Sequence, residues 1–184
     1  IEFKNANATT SVKVNVKGSG NLFARIVKQG IPKAGEETDK FSNLELSVAY
    51  KTLNGNPIDV TQLEQGTDFM AEVIIKNPGI RGMYRNLALT QIFASGWEIR
   101  NQRLDNITYM KGDIPTYQDI RDDRVYSYFD LGAGASKTFK VLLNASYTGM
   151  YYLPGVSCEA MYDNSISAHI AGKWVNEKKQ EEVL

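Results

Sequence analysis

Cysteine and histidine are almost missing from this 184-residue chain: Cys158 and His169 each stand alone. One cysteine excludes a disulfide within the chain and zinc ligation by the cysteines of one chain. A Ser-His-Asp triad would have to use His169, which sits in Ser165-Ile166-Ser167-Ala168-His169-Ile170, a run that alternates like a strand. A surplus of charge is also lacking. Lys+Arg and Asp+Glu both number 21, whereas a nucleic-acid footprint or a polybasic membrane surface needs a large excess of cations. No apolar run reaches the roughly 20 residues that span a bilayer. Ile1-Glu2-Phe3-Lys4 lacks the apolar core of a signal peptide, so the chain is expected to be a mature fragment or an excised piece. No helical period persists over a long window.

Period-2 alternation is what the chain does have. In Asp68–Lys76, Phe69, Ala71, Val73 and Ile75 point one way and Asp68, Met70, Glu72 and Lys76 the other. Asn77-Pro78-Gly79 breaks the run, and alternation resumes from Tyr84 to Phe93, predicting an antiparallel pair with one buried face. Val12, Val14 and Val16, the turn Gly18-Ser19-Gly20-Asn21 and Leu22–Val27 predict an N-terminal hairpin. Charged Lys33–Lys40 reads as a linker. Further strands are expected at Leu44–Tyr50, Lys137–Tyr147, Met150–Leu153, Val156–Met161 and Ile166–Val175, with one helical turn at Thr116–Arg121. Short strands at frequent turns predict an all-β antiparallel sandwich. The organisation expected is a hairpin over residues 1–34, a sandwich over 35–176 and a disordered charged tail over 177–184.

Chemistry is sparse. Asp119, Asp122 and Asp123 interleave with Arg121 and Arg124. Clustered carboxylates can bind calcium, but the arginines would repel a cation and the calcium-loop glycine and terminal glutamate are missing. A structural turn tied by Arg–Asp hydrogen bonds is the expectation, with a partner contact as the sharper alternative. Gly18-Ser19-Gly20 and Gly132-Ala133-Gly134 lack the helix and the Lys-Ser/Thr of phosphate loops and read as turns. Nothing singles out a catalytic residue, a metal ligand or a cofactor-binding residue.

Four segments in register resemble a known family. Ala94-Ser95-Gly96-Trp97-Glu98-Ile99 is followed by Arg121-Asp122-Asp123-Arg124, then Gly149-Met150-Tyr151-Tyr152-Leu153-Pro154, then Glu159-Ala160-Met161-Tyr162. Their order and spacing resemble the C-terminal end of bacterial alpha-2-macroglobulins, with Ala94 where that family usually has proline. The resemblance covers about residues 40–175 and rests on Gly96, Trp97, Gly149, Pro154, Glu159, Met161 and Tyr162 together with the Arg121–Arg124 segment.

The resemblance implies a macroglobulin-like, immunoglobulin-like sandwich. Its parent would be a periplasmic or cell-envelope protease trap, often a membrane-anchored lipoprotein. In such traps, cleavage of a bait region triggers closure. The thioester cysteine of that family is followed by glutamine, and Cys158-Glu159-Ala160-Met161 has none, so Cys158 is not that cysteine. On this reading the domain is non-catalytic. It contacts other domains of the parent chain, meets target proteases only through the parent, and touches neither nucleic acid nor membrane itself. The hairpin would be a remnant of the preceding β domain. The alternative is a stand-alone sandwich that binds surface carbohydrate or acts as an adhesin.

Overall fold

A computed structural model describes residues 13–23, 25, 30, 33–100 and 111–179. The chain divides into two units, Ile1–Ile31 and Pro32–Leu184. In the first, the expected hairpin is not formed where it is described. Residues 13–17 and 21–23 carry no strand, and Val14, Val16, Leu22 and Phe23 are exposed. Alternation supplies an apolar face, but two strands alone bury too little to hold a ladder. The remaining hairpin positions, Val12 among them, lie outside the described residues.

Among the described residues the second unit contains thirteen strands: β1 Lys40–Ser42, β2 Glu45–Thr52, β3 Gln62–Glu64, β4 Asp68–Lys76, β5 Tyr84–Ile92, β6 Trp97–Ile99, β7 Tyr117–Ile120, β8 Arg124–Leu131, β9 Ser136–Ala145, β10 Gly149–Leu153, β11 Val156–Ala160, β12 Asp163–Ile170 and β13 Lys173–Lys178. A six-stranded sheet, β1-β12-β11-β5-β8-β7, faces a four-stranded one, β2-β4-β9-β6, and a three-stranded sheet runs β10-β13-β3. Every pairing is antiparallel except β13 with β3. Among the described residues there is no helix. The turn expected at Thr116–Arg121 is instead edge strand β7, paired with β8 in the register Tyr117↔Tyr128 to Ile120↔Val125.

The interior divides into two clusters. One packs Val73 and Ile75 of β4 against Leu87 and Leu89 of β5 and Phe129 of β8. In the other, Phe69 and Ala71 of β4 meet Trp97, Val125, Leu63, Leu153 and Val175, so all three sheets contribute. Phe69 and Trp97 stand edge to face at 4.9 Å, a favoured arrangement of their quadrupoles.

Two further expectations are corrected. β4 and β5 are not an antiparallel pair: β4 lies between β2 and β9, and β5 between β8 and β11. Alternation reports which face is buried, not which strand lies alongside. The connection is a crossing between layers, pinned by Asn77. Its side chain is fully buried and donates to Leu131 O at 3.1 Å and Gly82 O at 2.7 Å while accepting from Gly79 N at 2.8 Å. The tail, expected to be disordered from residue 177, is part of β13 through Lys178, and Glu177 is 2% exposed. Val175 and Glu177 share the inward register, so the strand continues where the composition turns charged. Residues 180–184 lie outside the described residues.

Candidate functional site

Arg121-Asp122-Asp123-Arg124 is the turn between β7 and β8, closed by Arg121 N donating to Arg124 O at 2.9 Å. Arg124 Nε and Nη2 grip the two carboxylate oxygens of Asp123 at 2.7 and 2.6 Å, and Arg121 Nε reaches Asp119 Oδ2 at 3.0 Å. The hydrogen bonds of that fork hold the Asp123 carboxyl below its ordinary range and raise the Arg124 guanidinium. Asp122 faces solvent. Both arginines of the turn therefore answer neighbouring acids, Arg124 within the turn and Arg121 at the end of β7. Its backbone is tied inward, since Phe93 N donates to Asp123 O at 2.9 Å just where β5 ends.

From Phe93 the chain turns through Gly96 into Trp97, whose indole is buried. Trp97 Nε1 donates to Glu177 Oε1 at 2.5 Å. Burial raises the Glu177 carboxyl above its ordinary range, and the Trp97 hydrogen bond only partly offsets this. Glu177 Oε2 is buried without a hydrogen-bond partner. The Tyr151 ring lies against Gly96, where any β-carbon would run into it. Gly149 has φ +145° and a β-carbon there would stand 3.0 Å from Tyr151 Oη, which itself donates to Thr148 O at 2.9 Å. Gly96, Trp97 and Gly149 are thus brought into one corner, with Glu177 as the member the sequence reading missed. The available signal was its inward register two residues after Val175.

The other motif positions lie elsewhere. Pro154 leads β10 of the three-stranded sheet into β11 of the six-stranded one. At Gly155 a β-carbon would meet the Ile170 carbonyl oxygen and the His169 ring. Glu159 is exposed on β11, and Met161 and Tyr162 form the β11–β12 turn, 53% and 83% exposed. Met161 N donates to Asn86 O at 3.1 Å, which places that turn at the far end of β11 from Pro154.

Cys158 is fully buried between Leu89 and Ala168, and burial pushes its thiol up to about 12. A thiol so placed does not supply thiolate at neutral pH. Among the described residues no group of three or more His, Cys, Asp and Glu side chains is placed to hold a metal ion. On the outer face of β4, Glu72 sits between Lys51 at 2.6 Å and Lys140 at 3.3 Å. Burial raises the Glu72 carboxyl, but the two lysines outweigh it and the net shift is downward.

The family model described as Bacterial Alpha-2-macroglobulin MG10 domain matches residues 44–164, well over half of the chain. The chain belongs to the bacterial alpha-2-macroglobulin family. Among curated relatives, the alpha-2-macroglobulin homolog of Yersinia pestis is 27% identical over 158 residues, covering 73% of this chain and 8% of that protein. The alpha-2-macroglobulin of Rickettsia conorii is 24% identical over 169 residues, covering 89% of this chain and again 8% of that protein. The present chain therefore spans under a tenth of the length of these macroglobulins. Among solved structures, native Escherichia coli alpha-2-macroglobulin from domain MG7 to the C-terminus superposes with a TM-score of 0.70 at 17% identity, over 81% of this chain and 25% of that one. At that identity the likeness shows the fold alone, a macroglobulin-like β-sandwich. The family match takes in Gly96, Trp97 and Gly149, the Arg121–Arg124 turn and the Met161–Tyr162 turn of this macroglobulin domain, and stops short of Glu177.

Proposed function

We propose that this domain is a non-catalytic, terminal part of a bacterial protease trap. Its work is to contact neighbouring domains of the parent chain and to restrain the trap until its bait region is cut. The observation that carries the reading is the family match across residues 44–164 in a chain that spans only 8% of its curated relatives. Solved relatives are described as trypsin-activated and as activated by porcine elastase, which supports a parent that responds to proteases. The buried Cys158 thiol, held far above neutrality, supports the non-catalytic assignment. Proteases meet the parent and not this domain, and the parent belongs in the periplasm or cell envelope as an anchored lipoprotein.

The experiment uses the full-length parent. Trypsin or elastase is added and the change in hydrodynamic size is followed, with and without residues 44–179. Restraint by this domain predicts that the deleted protein takes the protease-activated size before any protease is added. An unchanged, protease-triggered transition in the deleted protein refutes the restraining role. Fractionation with the membrane, released by detergent, tests the lipoprotein placement.

A further inference from the structure

Lys33–Asp39 has the composition of a free linker, yet it is held on the sandwich. Glu37 Oε2 accepts two hydrogen bonds, from Tyr152 Oη at 2.6 Å and from Gly172 N at 3.0 Å. Asp39 Oδ1 accepts from Ala171 N at 2.8 Å. Gly35 lies against the indole of Trp174, where a β-carbon would stand 3.4 Å from Nε1. Two consecutive amides of the β12–β13 turn are therefore satisfied by carboxylates reaching across from the preceding stretch. The receiving turn packs closely on β10, since a β-carbon at Gly172 would run into Tyr152 Oη and stand 2.6 Å from Leu153 O.

We propose that Lys33–Asp39 is a carboxylate latch, which holds this stretch against the β12–β13 turn and opens on protonation of Glu37 while the sheets stay folded. An ionised carboxylate accepts from both donors in charge-assisted bonds about twice as strong as neutral ones. Protonation removes the charge and places a hydrogen on one oxygen. The groups facing Glu37 are Tyr152 from β10 and His169 from β12; Lys173 at the start of β13 stands over the Tyr50 ring at 5.3 Å, and the stretch itself adds the acids Glu36 and Asp39 and the cation Lys33. The Tyr152 hydrogen bond and then the Gly172 amide lower the Glu37 carboxyl, burial opposes them, and the His169 charge adds the least of the lowering. The latch thus holds above the ordinary glutamate range and lets go as pH falls through the depressed value. It stands whether or not the parent is a protease trap.

The test is a pH titration of the 184-residue chain by amide NMR, with hydrogen exchange at each pH. The Gly172 amide should titrate with an inflection below the ordinary glutamate value. Its protection should fall about tenfold across that inflection, the weight of roughly 1.4 kcal/mol, while the Leu89 and Cys158 amides of the core keep theirs. Glu37→Gln should abolish the inflection and lower Gly172 protection at neutral pH. Tyr152→Phe should move the inflection upward, and Asp39→Asn should alter Ala171 alone. Absence of the inflection in the unmodified chain, its survival in Glu37→Gln, or core amides losing protection in step with Gly172 would each overturn the latch.

Discussion

Replacing Glu177 by glutamine should stabilise the domain at neutral pH and do almost nothing in acid. The side chain is 2% exposed, one oxygen receives Trp97 Nε1–H at 2.5 Å, and the other has no partner. Burial raises the folded-state carboxyl above its unfolded value. The folded protein therefore binds this proton more tightly than the unfolded chain, and the stabilisation is complete below the unfolded value and lost as pH rises through the folded one. Below that range, neutral glutamic acid and glutamine have nearly the same shape, and each still accepts from Trp97. Above it the native protein carries a half-satisfied buried carboxylate, whose cost is on the order of 1–3 kcal/mol. Each unit by which the carboxyl is raised corresponds to about 1.4 kcal/mol. For a chain of this size, each kcal/mol moves the melting temperature by roughly 2–4 °C. The assay is urea unfolding followed by circular dichroism at several pH values from 4 to 8. Glu177→Gln should match the native protein at the acid end and exceed it progressively toward neutrality. Parallel stability curves, or a deficit that grows with pH, would refute the picture of a charge buried beside Trp97.

Three further outcomes are expected. Gly96→Ala forces its methyl group into the Tyr151 ring and should cost about 1–3 kcal/mol in thermal unfolding, with partial recovery when Tyr151→Leu is added; no loss would show that the ring moves freely. Glu72→Gln removes a carboxylate lowered by Lys51 and Lys140. It should flatten the acid limb of stability, because that contribution is present above the ordinary glutamate range and lost as pH falls. Cys158 should resist a thiol reagent in the native protein at pH 8 and react at once in denaturant, while prompt native labelling would contradict its burial in the core.

Strand positions were legible wherever apolar side chains alternate, as in Phe69 to Ile75 and Phe139 to Ala145, because a buried face leaves a period of two. Partnership was not legible. β4 and β5 are neighbours in sequence with complementary faces, yet Asn77 directs them into different layers through hydrogen bonds to Leu131 and Gly82 that no local pattern announces. The Arg121–Arg124 turn was readable from its interleaved charges. Glu177 was not, since a charged residue near a charged tail resembles solvent-facing sequence, and its burial depends on an indole 80 positions away. Conversely, the three valines at 12, 14 and 16 suggest a strand, and residues 13–17 carry none, because periodicity provides no neighbour to pair with.

The parallel pairing of β13 with β3 joins Asn176–Lys178 to Gln62–Glu64, and β1 at Lys40–Ser42 finds its partner only at Ser167–His169. Strands made early in synthesis thus wait for those made last. Closing such long loops is entropically slow, so neither interior cluster is complete while the ribosome still holds the last strands. Until then β1 and β3 have no strand on either side, where the finished fold leaves each with one open edge, and such edges pair wrongly with other chains. This domain completes its native topology late, after most of its sequence has already left the ribosome.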